Sequence, residues 1–332
     1  MTAPPKLPPE QTWQQALQHA VRDLDELASL LRLPARELRA LADAAPDFPL
    51  LVPRGFIARM RPGDLADPLL LQVLPQRREK QQATGFEADP LGELGFMDNS
   101  LMQKYPGRAL LIASGACPVH CRYCFRREFP YQDQLASRSG WSPVLDALAT
   151  RPDIEELLLS GGDPLSLSNR RLASLLEGLE RLPSIQCLRI HTRFPVTIPE
   201  RVDAELQRLL LNARLKIVVV IHSNHPNELD PKIEAVLQRL SAHTHLLLNQ
   251  AVLLRGVNDD VDTLAALSRR LFECRVQPYY LHMLDRVNGT QHFETEHNEA
   301  KRLAAELRKR LPGYLVPRLV REVPGELSKT LI

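Results

Sequence analysis

From residue 109 onward, short apolar runs alternate with stretches of helical length, and this alternation restricts the fold more than any other feature of the chain. The runs cover 109–113, 156–160, 187–191, 216–222, 245–252 and 277–281. Amphipathic segments such as 169–182, 200–212, 231–241 and 260–272 lie between them. Strand–helix units in series imply parallel strands, because parallel neighbours need a crossover long enough to carry the chain back. Six units are two short of an eight-fold closed barrel. The pattern therefore predicts an α/β fold, a partial (β/α)6 barrel.

Residues 1–100 read differently. Trp13, Leu17, Val21, Leu24, Leu27, Leu30 and Leu31 recur at helical spacing within 11–31, and 34–45, 50–60 and 67–74 give shorter helical pieces with prolines at their joints. This predicts an N-terminal helical subdomain and linker over 1–100, including a polar, mobile loop over 76–89, ahead of a strand–helix domain over 101–332. With 44% hydrophobic residues a sizeable core is available. The formal charge of +2, from 42 Lys+Arg against 40 Asp+Glu, is too balanced for a nucleic-acid or membrane-surface binder. No apolar run approaches the roughly 20 residues of a spanning helix. Residues 1–6 have no apolar core behind them, so the expectation is a cytoplasmic protein without a secretory leader.

Each predicted strand is followed at once by a polar or glycine-bearing segment: 117–124, 161–164, 191–193, 222–228, 249–250 and 282–285. Loops at the carboxyl ends of such strands build active sites, so all six should converge on one mouth. The first carries Cys117, Cys121 and Cys124 in C-x3-C-x2-C spacing. Three thiolates so spaced can hold three irons of a [4Fe–4S] cube and leave the fourth open. A zinc site completed by His120 is the alternative, although zinc sites favour paired Cys or Cys/His ligands and no second pair follows. Five cysteines form no disulfide framework.

The cysteine loop after the first strand and Gly161-Gly162-Asp163-Pro164 after the second resemble the radical S-adenosylmethionine (SAM) superfamily. Cys-Arg-Tyr-Cys-Phe-Arg-Arg (121–127), Ser-Gly-Gly-Asp-Pro-Leu (160–165), His-Pro-Asn-Glu (225–228), Asn-Gln-Ala-Val-Leu-Leu-Arg-Gly-Val-Asn (249–258) and Pro-Tyr-Tyr-Leu (278–281) narrow the resemblance to the lysine 2,3-aminomutase family, over about 105–330.

That resemblance implies that the open iron binds SAM, with Gly161, Gly162 and Asp163 in contact and His222 and Gln250 nearby. It implies a pyridoxal 5′-phosphate (PLP) Schiff base on Lys329, although only Gly325 remains of the family's glycine-rich run before that lysine. Lys104, Tyr105 and Arg108 match an Arg-Tyr-x-x-Arg segment that holds the cofactor phosphate. Arg108 suits a bidentate grip, and Lys104, replacing arginine, a point charge. Arg126 matches the arginine that binds the substrate α-carboxylate. Asp285 and Glu322 match the acidic pair that faces a distal ammonium, Glu322 replacing the aspartate of the free-lysine enzymes. Two such carboxylates would favour lysine over glutamate.

No match to the family's zinc-bearing C-terminal extension is evident, and Asp260 stands where the larger enzymes have a cysteine. The chain thus resembles the short bacterial branch that makes (R)-β-lysine for elongation factor P, to which a separate lysyl ligase attaches it. The implied activity is an isomerase moving the amino group of L-lysine from C2 to C3 by 5′-deoxyadenosyl radical chemistry, fed by an external one-electron reductant. The residues leave open an aminomutase for another amino acid, a PLP-independent SAM-consuming enzyme, and a non-catalytic barrel that binds a partner.

Overall fold

The amphipathic stretch expected over 11–31 breaks in two. Thr12 caps α1 (Trp13–Gln18) through a reciprocal box with Gln15, and Asp23 caps α2 (Leu24–Leu31) by accepting from Glu26 N. Between them Val21 pairs with Val52 in extended backbone. The computed structural model describes residues 11–43, 46–98, 100–131 and 140–332, so 1–6 and the last two positions of the expected 34–45 helix lie outside it. α3 (Ala35–Leu41) follows Pro34. α4 (Arg54–Ile57) and α5 (Pro68–Leu71) are single turns, shorter than expected, each opened by a proline. The expected mobile loop over 76–89 is tied down at its start: Gln76 is buried, and the tight turn Arg77–Lys80 directs Glu79 inward onto two arginines.

Beyond this region the chain alternates as predicted, with additions at both ends. β1 (Met97–Asp98) and β2 (Leu101–Tyr105) lead antiparallel into β3 (Arg108–Ser114). Then come α6 (Ser142–Ala149), β4 (Glu156–Gly161), α7 (Asn169–Glu180) and β5 (Cys187–Thr192). α8 (Phe194–Thr197), α9 (Ala204–Leu211), β6 (Lys216–His222), α10 (Pro231–Ser241) and β7 (Leu246–Val252) follow. α11 (Val261–Glu273), β8 (Gln277–His282), α12 (His297–Arg310), β9 (Arg318–Arg321) and β10 (Thr330–Leu331) complete the chain.

β3 to β9 run parallel, each paired with the next, and β10 returns antiparallel on β9. Spatial order equals sequence order, with β1 and β10 at the edges of a ten-stranded sheet among the described residues. The architecture is mixed α/β. Six strands, β3 to β8, each lead into helix, which is the expected unit count.

Local chemistry fixes the helix starts: Ser168, Asp203, Asp230 and Asp260 each accept from the backbone N–H three residues on. The helices turn leucine stripes to the sheet, as with Leu172, Leu175, Leu176 and Leu179 of α7 and Leu264, Leu267 and Leu271 of α11. Each such side chain contributes about 1.5–3 kcal/mol on burial. A second apolar cluster, around Val21, Leu27, Val52, Phe56, Leu69 and Leu70, lies under the N-terminal helices and reaches Val119 and Cys121. No described helix is long and apolar enough to cross a membrane.

Candidate active site

The carboxyl ends of the parallel strands surround a cavity of about 480 Å³. The fifteen residues singled out from the sequence all line it: Lys104, Tyr105, Arg108, Cys117, Cys121, Cys124, Arg126, Gly161, Gly162, Asp163, His222, Gln250, Asp285, Glu322 and Lys329. His120 does not. Its Nδ1 donates to Pro49 O at 2.8 Å and its ring stacks on Phe48, outside the lining that holds the three cysteines.

The cysteine loop leaves β3 and lies directly on the end of β4. Gly162 N donates to Ser114 O at 2.6 Å and Asp163 N to Ala116 O at 2.7 Å. A Cβ on Gly161 (φ +115°) would stand 2.6 Å from Ser114 O, and one on Gly162 would stand 2.6 Å from Ala116 O. Only glycine permits so close a backbone approach. Asp163 accepts from Thr192 Oγ1 (2.8 Å), Arg193 N (2.6 Å) and Leu165 N (3.0 Å). Burial pushes its carboxyl up to about 6 against those bonds. Its oxygens are committed to the protein, so its contribution is to hold the loop ends.

All three loop cysteines are free thiols. Burial first, and neighbouring thiols next, push Cys117 well up and Cys124 up to about 11. Among the described residues no three His, Cys, Asp or Glu side chains converge on a single ion. A cube does not require that, since each thiolate takes a different iron. Three unbridged thiols on one loop, facing one cavity, suit such a cluster, whose positive charge would offset the cost of burying thiolates.

Across the cavity Lys329 pairs with Glu322 Oε2, while Tyr105 donates to Glu322 Oε1 at 2.6 Å and Lys104 Nζ stands 3.8 Å away. Burial alone would raise Glu322, yet Lys329, Tyr105 and Lys104 bring it below the usual range. Asp285 is pushed up to about 7, by burial and by Glu322 and Glu93, against the pull of Lys329. Arg108 stacks on the Tyr105 ring and has no carboxylate partner among the described residues. A wall with Lys104, Arg108 and Lys329 suits a phosphate-bearing aldehyde cofactor.

Sequence reasoning missed Glu93. Its oxygens take Arg126 Nε at 2.6 Å and Nη2 at 2.9 Å, and Ser160 Oγ takes Nη1 at 2.8 Å. The fork singled out for a substrate carboxylate therefore already holds an internal one. Of its five N–H groups two remain for a ligand, one on each terminal nitrogen. Arg193, within a flagged segment but not singled out, was missed too. It donates to Cys121 Sγ.

Three histidines complete the site. Gln250 Nε2 donates to His222 Nε2 at 2.6 Å, and burial takes His222 down to about 3. His191 and His282 are held well below their ordinary value by burial and nearby cations, and their Nε2 atoms are buried without a partner among the described residues. All three imidazoles are neutral near pH 7.

No family model matches the chain. It is similar to the L-lysine 2,3-aminomutase of Escherichia coli strain K12, 45% identical over 324 residues that cover 97% of this chain and 95% of that one. The protein of the same name from Haemophilus influenzae is 44% identical over 328 residues, 98% and 97% of the two chains. Among solved structures it is similar to a radical SAM methyltransferase from Sphaerobacter thermophilus, with 19% identity, a TM-score of 0.45, and coverage of 67% and 68%.

Proposed function

This chain belongs to the L-lysine 2,3-aminomutase family, and from that premise we propose its reaction in full: the α-amino group of L-lysine moves from C2 to C3 to give (R)-β-lysine. The cofactors in this reading are a [4Fe–4S] cluster, SAM and PLP, in the cytoplasm, where free thiols stay reduced. The sheet is read as the partial (β/α)6 barrel of the radical SAM enzymes. When bound, SAM and the reduced cluster supply a carbon radical able to take hydrogen from C3, and PLP supplies the conjugated system across which nitrogen moves. Acid–base side chains cannot break that unactivated C–H bond, so the protein's own residues bind and orient.

Cys117, Cys121 and Cys124 would hold three irons, with Gly161 and Gly162 keeping that loop against β4. His222 and Gln250, neutral and mutually hydrogen-bonded, would border SAM. Lys329 would carry PLP, with Lys104, Tyr105 and Arg108 at the phosphate. In the structure its ammonium rests on Glu322; with Lys329 engaged by PLP, Glu322 and Asp285 would be left to face the ammonium of a substrate. Arg126, clamped by Glu93, would receive the α-carboxylate on its two remaining N–H groups. Transfer of the product to elongation factor P by a lysyl ligase belongs to the same proposal, supported by the short-form resemblance.

The observation that carries this reading is the single cavity lined by the three thiols on one wall and the Lys329–Glu322 pair on another. The test is anaerobic incubation of the reconstituted protein with L-lysine, SAM, PLP and dithionite, followed by chiral analysis. Formation of (R)-β-lysine is expected. Full iron and PLP loading without β-lysine would overturn the proposal.

A further inference from the structure

Arg193 follows the last residue of β5 and is buried, with only 6% of its side chain exposed. Its guanidinium is fixed from three directions. Nη2 donates to Gln72 Oε1 at 2.7 Å, from the N-terminal region, and to Glu228 Oε2 at 3.0 Å, from the loop after β6. The rings of Tyr123 and Phe56 lie 5.7 and 5.4 Å from its central carbon. Nη1 donates to Cys121 Sγ at 2.6 Å, and the Nε hydrogen is buried with no partner among the described residues.

A purely structural buried arginine would be expected to take both oxygens of its carboxylate, the geometry that neutralises it best. Glu228 is instead divided. Its Oε1 accepts from Asn224 N (2.8 Å), His225 N (3.0 Å) and Gln72 Nε2 (3.2 Å), which leaves a single oxygen for Arg193. The ion pair thus engages only one terminal nitrogen of the arginine, and the other is aimed at a loop thiol.

We propose that Arg193 raises the reduction potential of the iron–sulfur cluster, by holding a fixed charge and an N–H donor on the Cys121 sulfur. This rests on the cluster reading given above. Reduction adds one electron and no proton, taking [4Fe–4S]²⁺ to [4Fe–4S]⁺, with the electron drawn from an external one-electron donor. The added negative charge spreads over the cluster and its thiolates. A nearby cation and an N–H···S bond therefore stabilise the reduced form more than the oxidised one. Arg193 is a positioning and tuning residue: it touches a cluster ligand and not the substrate.

The test is a redox titration of the anaerobically reconstituted protein, with dithionite as the reductant, followed by electron paramagnetic resonance without SAM or lysine. Arg193→Gln should make the cluster at least tenfold harder to reduce, a downward shift of about 59 mV or more for one electron. Arg193→Lys, which keeps the charge but not the fork, should shift it less. Glu228→Gln keeps an acceptor oxygen for the loop but removes the compensating charge, so its potential should rise. Wild-type potentials in Arg193→Gln and Glu228→Gln, each with four irons, would overturn the proposal. Should Arg193→Gln not assemble a cluster, Glu228→Gln decides alone, an unshifted or lowered potential counting against it. Four irons retained by Cys121→Ala would overturn the cluster reading itself.

Discussion

In the proposed reaction Arg126 would have to satisfy two carboxylates with one guanidinium. Glu93 takes the side-on pair of N–H groups, Ser160 takes a third, and only a planar five-donor group has two left for a ligand. Lysine at this position has three donors, too few for two-point contact with both Glu93 and the substrate. Arg126→Lys should therefore lower kcat/KM for lysine by roughly 100-fold at unchanged iron and PLP content, measured by steady-state kinetics; wild-type efficiency would remove Arg126 from the substrate. Asp285 permits a pH test. Its carboxyl is raised to about 7, so it takes up a proton as pH falls through that value and stops attracting an ammonium. Below pH 7, kcat/KM should fall about tenfold per unit for a single essential ionisation. Asp285→Asn should abolish that inflection and cost roughly 100-fold at pH 8, in line with breaking a buried ion pair. Cysteine spacing and the strand-end positions of Gly161, His222 and Asp285 made these residues legible in the sequence. Glu93 was not, because an acid in a loop looks solvated until the fold buries it against Arg126. The same holds for Arg193, whose partners come from Gln72, Cys121 and Glu228, remote in sequence.

At the scale of elements, what was legible followed apolar content. β3, β4 and β6 are largely buried and read as apolar runs, as interior parallel strands do, while β5 and β8 alternate buried with half-buried positions. β1, β2, β9 and β10 are two to five residues long and carry Gln103, Lys104, Arg318 and Arg321, so they read as loop. α12 was not singled out, because half of its fourteen residues are charged and only Ala300, Leu303, Ala304 and Leu307 are buried along it. The single stretch expected over 11–31 failed for the opposite reason: its periodicity continues through Asp23, whose side chain starts a new helix. The joint between β3 and β4 depends on Gly162. Alanine there would place Cβ 2.6 Å from Ala116 O and 2.7 Å from Gly115 C, both backbone atoms that cannot rotate away. The strain, typically about 1–3 kcal/mol for a forced fit, would push the cysteine loop off β4. Gly162→Ala should assemble fewer than four irons per chain yet still take up PLP on Lys329. Full iron content in that variant would show that the contact is not needed to hold the loop.

At the scale of the whole molecule, the N-terminal region is a brace for the cysteine loop and not an appendage. Phe48 O accepts from Arg122 Nη1 at 2.8 Å, Leu51 O from His120 N at 3.0 Å, and Gln72 O from Arg122 N at 2.9 Å. Glu79 closes the clamp, accepting from Arg122 Nε at 2.9 Å and Arg127 Nη2 at 2.8 Å, with all three side chains almost fully buried. One carboxylate thus balances two buried cations, on the far side of the loop from the cavity. Glu79→Gln keeps an acceptor but leaves both arginines without an anion. Breaking a buried pair costs about 3–5 kcal/mol, and the retained amide oxygen places the expected loss near the lower figure. Glu26→Gln, at the solvent-exposed Arg54–Glu26 pair, should cost about 1 kcal/mol or less and serves as the control. The measurements are urea unfolding of the iron-free protein and iron per chain after reconstitution. Glu79→Gln should lose both stability and iron, while PLP loading persists, since Lys329 contacts Glu322 and Tyr280, neither of which belongs to the clamp. If Glu79→Gln unfolds like Glu26→Gln and still binds four irons, the loop holds its shape from the sheet side alone, and the N-terminal helices have another purpose.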